Sequence, residues 1–325
     1  MDFVRQSRKS IWIFSDAGGA KQALAAYKLI VPQSKYLHHT LLTDRWHSFY
    51  NMFQLPVHAI HYSDIDIGDV LDLVNPDLVV TATSYSSNIE LEFIKESCKR
   101  NIHVISIIDH NNYPELRFSR TNLEAYPDHI VVFNEDNQAA IRALPLPSHT
   151  NTEVLPNLYF DYLVKSFKPA LSKEDFWSLH KLNEYQPLVL YAPEPITLIK
   201  DKFNYAVDER DGLEMVLQAL DKCDIKFNLI YQCHPNQDRK ILKPFENNHW
   251  TYGKADVTDA IWYADAIISF SSNSIFEARA LGKKTTISLM SHLIPEHFKH
   301  VRKENLGYTI ENTEELTQLL NQILI

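Results

Sequence analysis

A chain of 325 residues, 45% hydrophobic and 22% charged, has ordinary globular composition, and its length suits about two domains of ~150 residues, each with its own core. A formal net charge of −9 argues against a general nucleic-acid binder, yet leaves room for a local basic cleft. Three cysteines (Cys98, Cys223, Cys233) cannot all pair, no grouping has zinc spacing, no apolar run approaches ~18 residues and the charged start is unlike a signal core, so a cytoplasmic protein with reduced thiols is expected.

Strand-like and helical patterns then alternate. An apolar strand over residues 10–15 runs through Asp16, Ala17, Gly18, Gly19 and Ala20 into a helix over 21–29. Strands follow at 38–43 and 56–60, a helix at 69–74, a buried strand at 77–82 and a helix at 88–100. Two more strands, 104–108 and 129–133, complete this half, the second entering a helix that ends at Ala143. Continuous Val/Ile runs between helices mean a parallel sheet covered on both faces. The rhythm breaks between Pro145 and Pro187, a stretch that also holds Pro147, Pro156 and Pro169 and an aromatic helix candidate at 174–182. It reads as a connection.

Alternation restarts with a strand at 188–192, a helix at 211–222 and a strand at 227–232. A helix at 258–263, a strand at 266–270, a helix at 275–281, a strand at 285–289 and a terminal helix at 313–324 follow. The expected fold is α/β: two tandem Rossmann-like, doubly wound domains over residues 1–150 and 187–325, joined by 151–186. Ligands would bind in a cleft facing the carboxyl ends of both sheets.

Several strand ends carry candidate chemistry. After strand 266–270 come Ser271, Ser272, Asn273 and Ser274 at the start of a helix, with Glu277 three positions past Ser274. Unpaired amides, hydroxyls and the positive helix end there suit a phosphate, and Glu277 is placed either to cap the helix or to bind a ribose. The plainer reading is a serine N-cap in an ordinary loop. His234, fixed by Pro235, ends strand 227–232 and suits a phosphate contact or acid–base work, against a mere sheet-edge histidine. Tyr191 and Pro193 end strand 188–192 and are placed to floor a base pocket, while Arg210 is more simply a residue of a helix start.

In the first half, Gly18 and Gly19 permit close backbone approach to a ligand, without the GxGxxG or P-loop pattern. Asp16 beside them is either a general base or the N-cap of the first helix. The polar strand ends at 83–88, with Ser84, and at 109–113, with Asp109 and His110, resemble a sugar or polyol pocket; plain surface loops are the alternative. The remaining histidines lack metal-ligand spacing, and Asp64-Ile65-Asp66 lies in a loop, so no metal site is expected.

The tandem halves, the His234-Pro235 strand end and the run from Ser271 to Lys283 together resemble the GT-B fold. That superfamily includes bacterial surface-polysaccharide glycosyltransferases and non-hydrolysing UDP-N-acetylglucosamine 2-epimerases. The resemblance implies donor-nucleotide binding in the C-terminal half, with Ser271, Ser272 and Ser274 on the phosphates and Glu277 on the ribose. His234 is similar to a phosphate-contacting or catalytic histidine of the capsule and teichoic-acid polymerase branch. Residues 16–20 fall where the acceptor or sugar is received, so Gly18, Gly19, Ser84 and His110 become acceptor-side candidates.

Two departures shape the expectation. The epimerase His-Arg-Arg-Glu-Asn-type signature is absent after Leu190, where residues 191–195 stand, which favours transfer. Thr285 lies eight residues after Glu277, where a retaining transferase would carry a second Glu, which favours inversion. The expected function is a glycosyltransferase of bacterial surface-polysaccharide synthesis, independent of metal and cofactor, moving sugar from a nucleotide donor to a glycan or lipid-linked acceptor. Asp16 is the preferred base and Asp109 the second. Peripheral membrane association is compatible with such an acceptor; a nucleotide-sugar epimerase or hydrolase, or a non-catalytic two-domain binding protein, is the alternative.

Overall fold

The computed structural model describes residues 2–31, 38–109, 114–120, 122–198, 200–234, 237–245, 250–283, 285–290, 292–293 and 307–324. The chain divides into two units, Met1–Phe167 and Lys168–Ile325.

In the first unit the strands are β1 (Lys9–Phe14), β2 (His38–Thr43), β3 (Val57–Ala59), β4 (Leu78–Thr81), β5 (His103–Ile107), a small antiparallel pair β6 (Ser119–Arg120) and β7 (Leu123–Glu124), β8 (His129–Val132) and β9 (Asn151–Val154). Seven of them form one parallel sheet in the order β3-β2-β1-β4-β5-β8-β9. The second unit has β10 (Leu188–Tyr191), β11 (Asn228–Tyr231), β12 (Thr251–Tyr252), β13 (Ala266–Ser269), β14 (Thr286–Leu289) and β15 (Tyr308–Ile310), parallel in the order β12-β11-β10-β13-β14-β15. Central strands are apolar on both faces because helices cover both: Ile11 to Phe14 and Leu188 to Tyr191 are fully buried. Trp12 satisfies its indole N–H on Ser10 Oγ at 2.9 Å, which lets so large a ring sit inside.

Each sheet has one switch point, where the strand order reverses: between β1 and β4, and between β10 and β13. In doubly wound sheets, ligands bind at the carboxyl edge beside such a point. Two expectations need correction. The first helix starts at Ala17 and runs to Ile30, so Gly18 and Gly19 lie in its first turn rather than in a loop. A Cβ on Gly19 would sit 2.8 Å from Ala82 Cβ, so the glycines let the helix press on the end of β4.

The stretch 151–186 does not form a separate connection. It supplies β9 and the helix Leu158–Lys165 to the first unit and the helix Lys173–His180 to the second. Leu158–Lys165 packs on Ala17–Ile30, with Gln22 Nε2 donating to Asn157 Oδ1 at 2.8 Å and Lys21 Nζ 4.9 Å from the centre of the Tyr159 ring. Phe176, fully buried, joins Leu188, Leu190 and Ile230 in the second core.

Candidate functional site

At the first switch point β1 ends into Ser15 and Asp16. Asp16 occupies the N-cap position, but its side chain makes no cap bond. Its carboxylate crosses to the loop after β4 instead, where Oδ2 accepts the amides of Tyr85 at 2.8 Å and Ser86 at 3.4 Å. Oδ1 accepts the Ser86 hydroxyl and Arg45 Nη1, the latter at 3.1 Å. Four donors therefore surround the two oxygens.

Beneath this bridge lies Glu90, a residue that pattern reading passed over. Its Oε1 accepts the Ser84 hydroxyl at 2.5 Å and the Ser15 amide at 3.1 Å, and Ser84 Oγ in turn accepts the Asp16 amide at 2.9 Å. Oε2 is buried with no hydrogen-bond partner among the described residues. Burial pushes the Glu90 carboxyl up to about 8, against the pull of the Ser84 hydrogen bond. Ser84, 1% exposed, is thus a relay inside this network.

After β5, Asp109 Oδ1 pairs with Arg117 Nη1 and lies 3.4 Å from Thr83 Oγ1. Its Oδ2 rests where a Cβ on Gly18 would be, so Gly18 admits a carboxylate to the first turn of Ala17–Ile30, the end of a helix that favours an anion. Arg117, 1% exposed, also donates to Thr83 Oγ1 at 2.7 Å and lies 4.7 Å from the Tyr85 ring centre. Its Nε and Nη2 have no partner among the described residues. His110 lies outside the described residues.

At the second switch point β10 runs into Ala192, Pro193 and Glu194, and β13 into the serines. Glu194 Oε1 accepts the Ser271 amide at 2.8 Å and its hydroxyl at 2.6 Å, while Oε2 accepts Ser269 Oγ at 3.3 Å. Burial raises the Glu194 carboxyl, partly offset by the Ser271 bonds. Ser272 is the N-cap of the helix Asn273–Ala280, its Oγ accepting the Ser274 amide at 3.3 Å, and Ser274 Oγ lies 3.4 Å from the Ala192 carbonyl. The first amides of that helix have no partner inside it.

Glu277 does not cap this helix. It is 6% exposed and its Oε2 accepts Thr258 Oγ1 at 3.2 Å from the neighbouring helix Val257–Tyr263. Tyr191 has no exposed surface: its ring packs edge-on against Tyr231 at 5.4 Å and its hydroxyl donates to the Glu209 carbonyl at 3.0 Å. It belongs to the core and cannot floor a base pocket. Pro193 beside it is buried.

His234 follows β11, and burial lowers its imidazole, favouring the neutral ring. Its loop is held by Gln237, whose amide donates to the His234 carbonyl at 2.9 Å and whose Nε2 donates to Tyr231 Oη at 2.6 Å. Arg210 turns back on Asp208, with Nη2 at 2.7 Å, and with Lys200 it holds that carboxyl well below the usual range despite burial. Among the described residues no group of three His, Cys, Asp or Glu is arranged to hold a metal ion, and no helix is long and apolar enough to cross a membrane.

No family model and no curated protein matches the chain. Solved structures do. A UDP-GlcNAc 2-epimerase from Methanocaldococcus jannaschii is similar over 97% of this chain and 92% of its own, at 15% identity and a TM-score of 0.65. A putative UDP-N-acetylglucosamine 2-epimerase from Listeria monocytogenes is similar over 98% of this chain and 88% of its own, at 12% identity and a TM-score of 0.66. WaaG, a glycosyltransferase involved in lipopolysaccharide biosynthesis, covers 97% and 90% at 13% identity and 0.51. At these identities the likeness shows the fold, which is GT-B, as the resemblance implied.

Proposed function

We propose that the chain is an enzyme of nucleotide-sugar chemistry whose second unit binds the nucleotide. The observation that carries this is the exit of β13: Ser271, Ser272 and Ser274 cluster at the amino end of Asn273–Ala280, on the carboxyl edge of a doubly wound sheet and at its switch point. A diphosphate there would meet helix amides and serine hydroxyls, and a neutral His234 after β11 would donate a hydrogen bond to it as it leaves.

Transfer to an acceptor hydroxyl is the reading we favour, because residues 191–195 lack the epimerase signature. The loops after β4 and β5 then serve the acceptor. Asp109 suits the base better than Asp16: its Oδ2 has no hydrogen-bond donor among the described residues, whereas Asp16 accepts four. Epimerisation of the sugar is the second reading, favoured by TM-scores of 0.65 and 0.66 to epimerases against 0.51 to WaaG.

Isothermal titration with UDP, CMP and GDP tests the shared premise, and binding of at least one is expected. No binding to any of them removes both readings. Incubation with the donor sugar alone then separates them, since an epimerase converts it without an acceptor and a transferase does not.

A further inference from the structure

The two switch points are closed by the same device. In the first unit an acid after the sheet's first strand, Asp16, takes both the amide and the hydroxyl of Ser86, beyond β4. In the second unit Glu194, likewise after the first strand of its sheet, takes both the amide and the hydroxyl of Ser271, beyond β13. The strands are equivalent in the two sheets, β1 beside β4 and β10 beside β13. The bridges differ in charge. Asp16 is balanced by Arg45, whereas among the described residues no Lys or Arg pairs with Glu194.

An unbalanced carboxylate therefore rests on two donors that an anion at this helix end would use. A carboxylate and a phosphate compete for the same N–H and O–H groups and repel each other at close range. We propose that Glu194 is a built-in competitor for the nucleotide's phosphate, occupying Ser271 in the free chain and giving it up when a nucleoside diphosphate arrives. The competitor weakens nucleotide binding and, by returning to Ser271, speeds departure of the spent nucleotide. This inference rests on the nucleotide reading above and adds a residue that opposes binding.

The test is titration of the full chain, Glu194→Gln and Glu194→Ala with UDP, CMP and GDP, alongside their melting temperatures. Loss of one charge-assisted contact to the competitor should tighten binding roughly tenfold in Glu194→Ala, with a smaller gain in the isosteric Glu194→Gln. The gain should shrink when Ser271→Ala is added to either variant, because the hydroxyl is then gone and only the backbone amide is left to contest. Unchanged or weaker binding by Glu194→Gln, in a variant that melts like the original, overturns the competitor while leaving the nucleotide reading intact. Absence of binding by all three proteins overturns both.

Discussion

At the scale of single residues, the acids divide by what surrounds them. Asp16 holds two loops and an arginine together, so Asp16→Asn should lower the melting temperature, as it strips charge from a site built on donors. Asp109→Asn should leave nucleotide affinity intact and cut turnover by about 10²–10⁴-fold if it is the base. Measured kcat and nucleotide Kd for both variants decide; turnover lost in Asp16→Asn and kept in Asp109→Asn reverses the assignment. Glu90 makes a separate prediction about pH. Its carboxyl is raised to about 8 in the folded chain, so the native state holds a proton that the unfolded state releases. The stability this contributes is complete at low pH and is lost as pH rises from the unfolded value to about 8, at about 1.4 kcal/mol per pH unit. Denaturant titrations at several pH values should show this fall in the original and not in Glu90→Gln; parallel curves would mean the carboxyl does not carry the proton.

At the scale of elements, continuous apolar runs made most of the fold legible. β1, β4, β10 and β13 lie within a residue or two of the expected strands because burial on both faces leaves no polar alternation to misread. β9 was not legible: Asn-Thr-Glu-Val at a sheet edge has no apolar run, and prolines at 145, 147 and 156 flank it. β12 is two residues long and offers no period at all. The site was read unevenly for the same reason. Its serines and Asp16 stand after strand ends, where small polar residues are conspicuous, but Glu90, which holds Ser84, lies inside a helix, and Glu194, which holds Ser271, carries no such signal. Glu90 shares a helix face with the buried Phe93, Ile94 and Ser97, and that spacing was the available signal. Glu194, between two prolines, had none. Gly19 gives a test of element packing. Alanine there gains about 1 kcal/mol of helix propensity, but its methyl would meet Ala82 Cβ, whose position is set by backbone, and such overpacking costs about 1–3 kcal/mol. Gly19→Ala should therefore melt lower, and a higher melting temperature would mean the helix has room to retreat.

At the scale of the whole molecule, each unit has a parallel sheet whose first strand in the chain lies inside the sheet, paired on both edges. β1 needs β4 on its second edge, with Ser10 opposite Leu78, and β10 needs β13, with Val189 opposite Ala266. The ribosome delivers these partners late. At ~5–20 residues per second, the 68 positions from Ser10 to Leu78 take roughly 3–14 s to appear. Until then one of the most apolar edges of the nascent chain has nothing of its own to bond. The same edge is open during refolding until the partner strand docks, so renaturation yield should fall as protein concentration rises, read as recovered soluble protein after dilution from denaturant. The interior placement of β1 and β10 thus leaves their second edges open to mispairing while the chain is being made and covers them once it has folded.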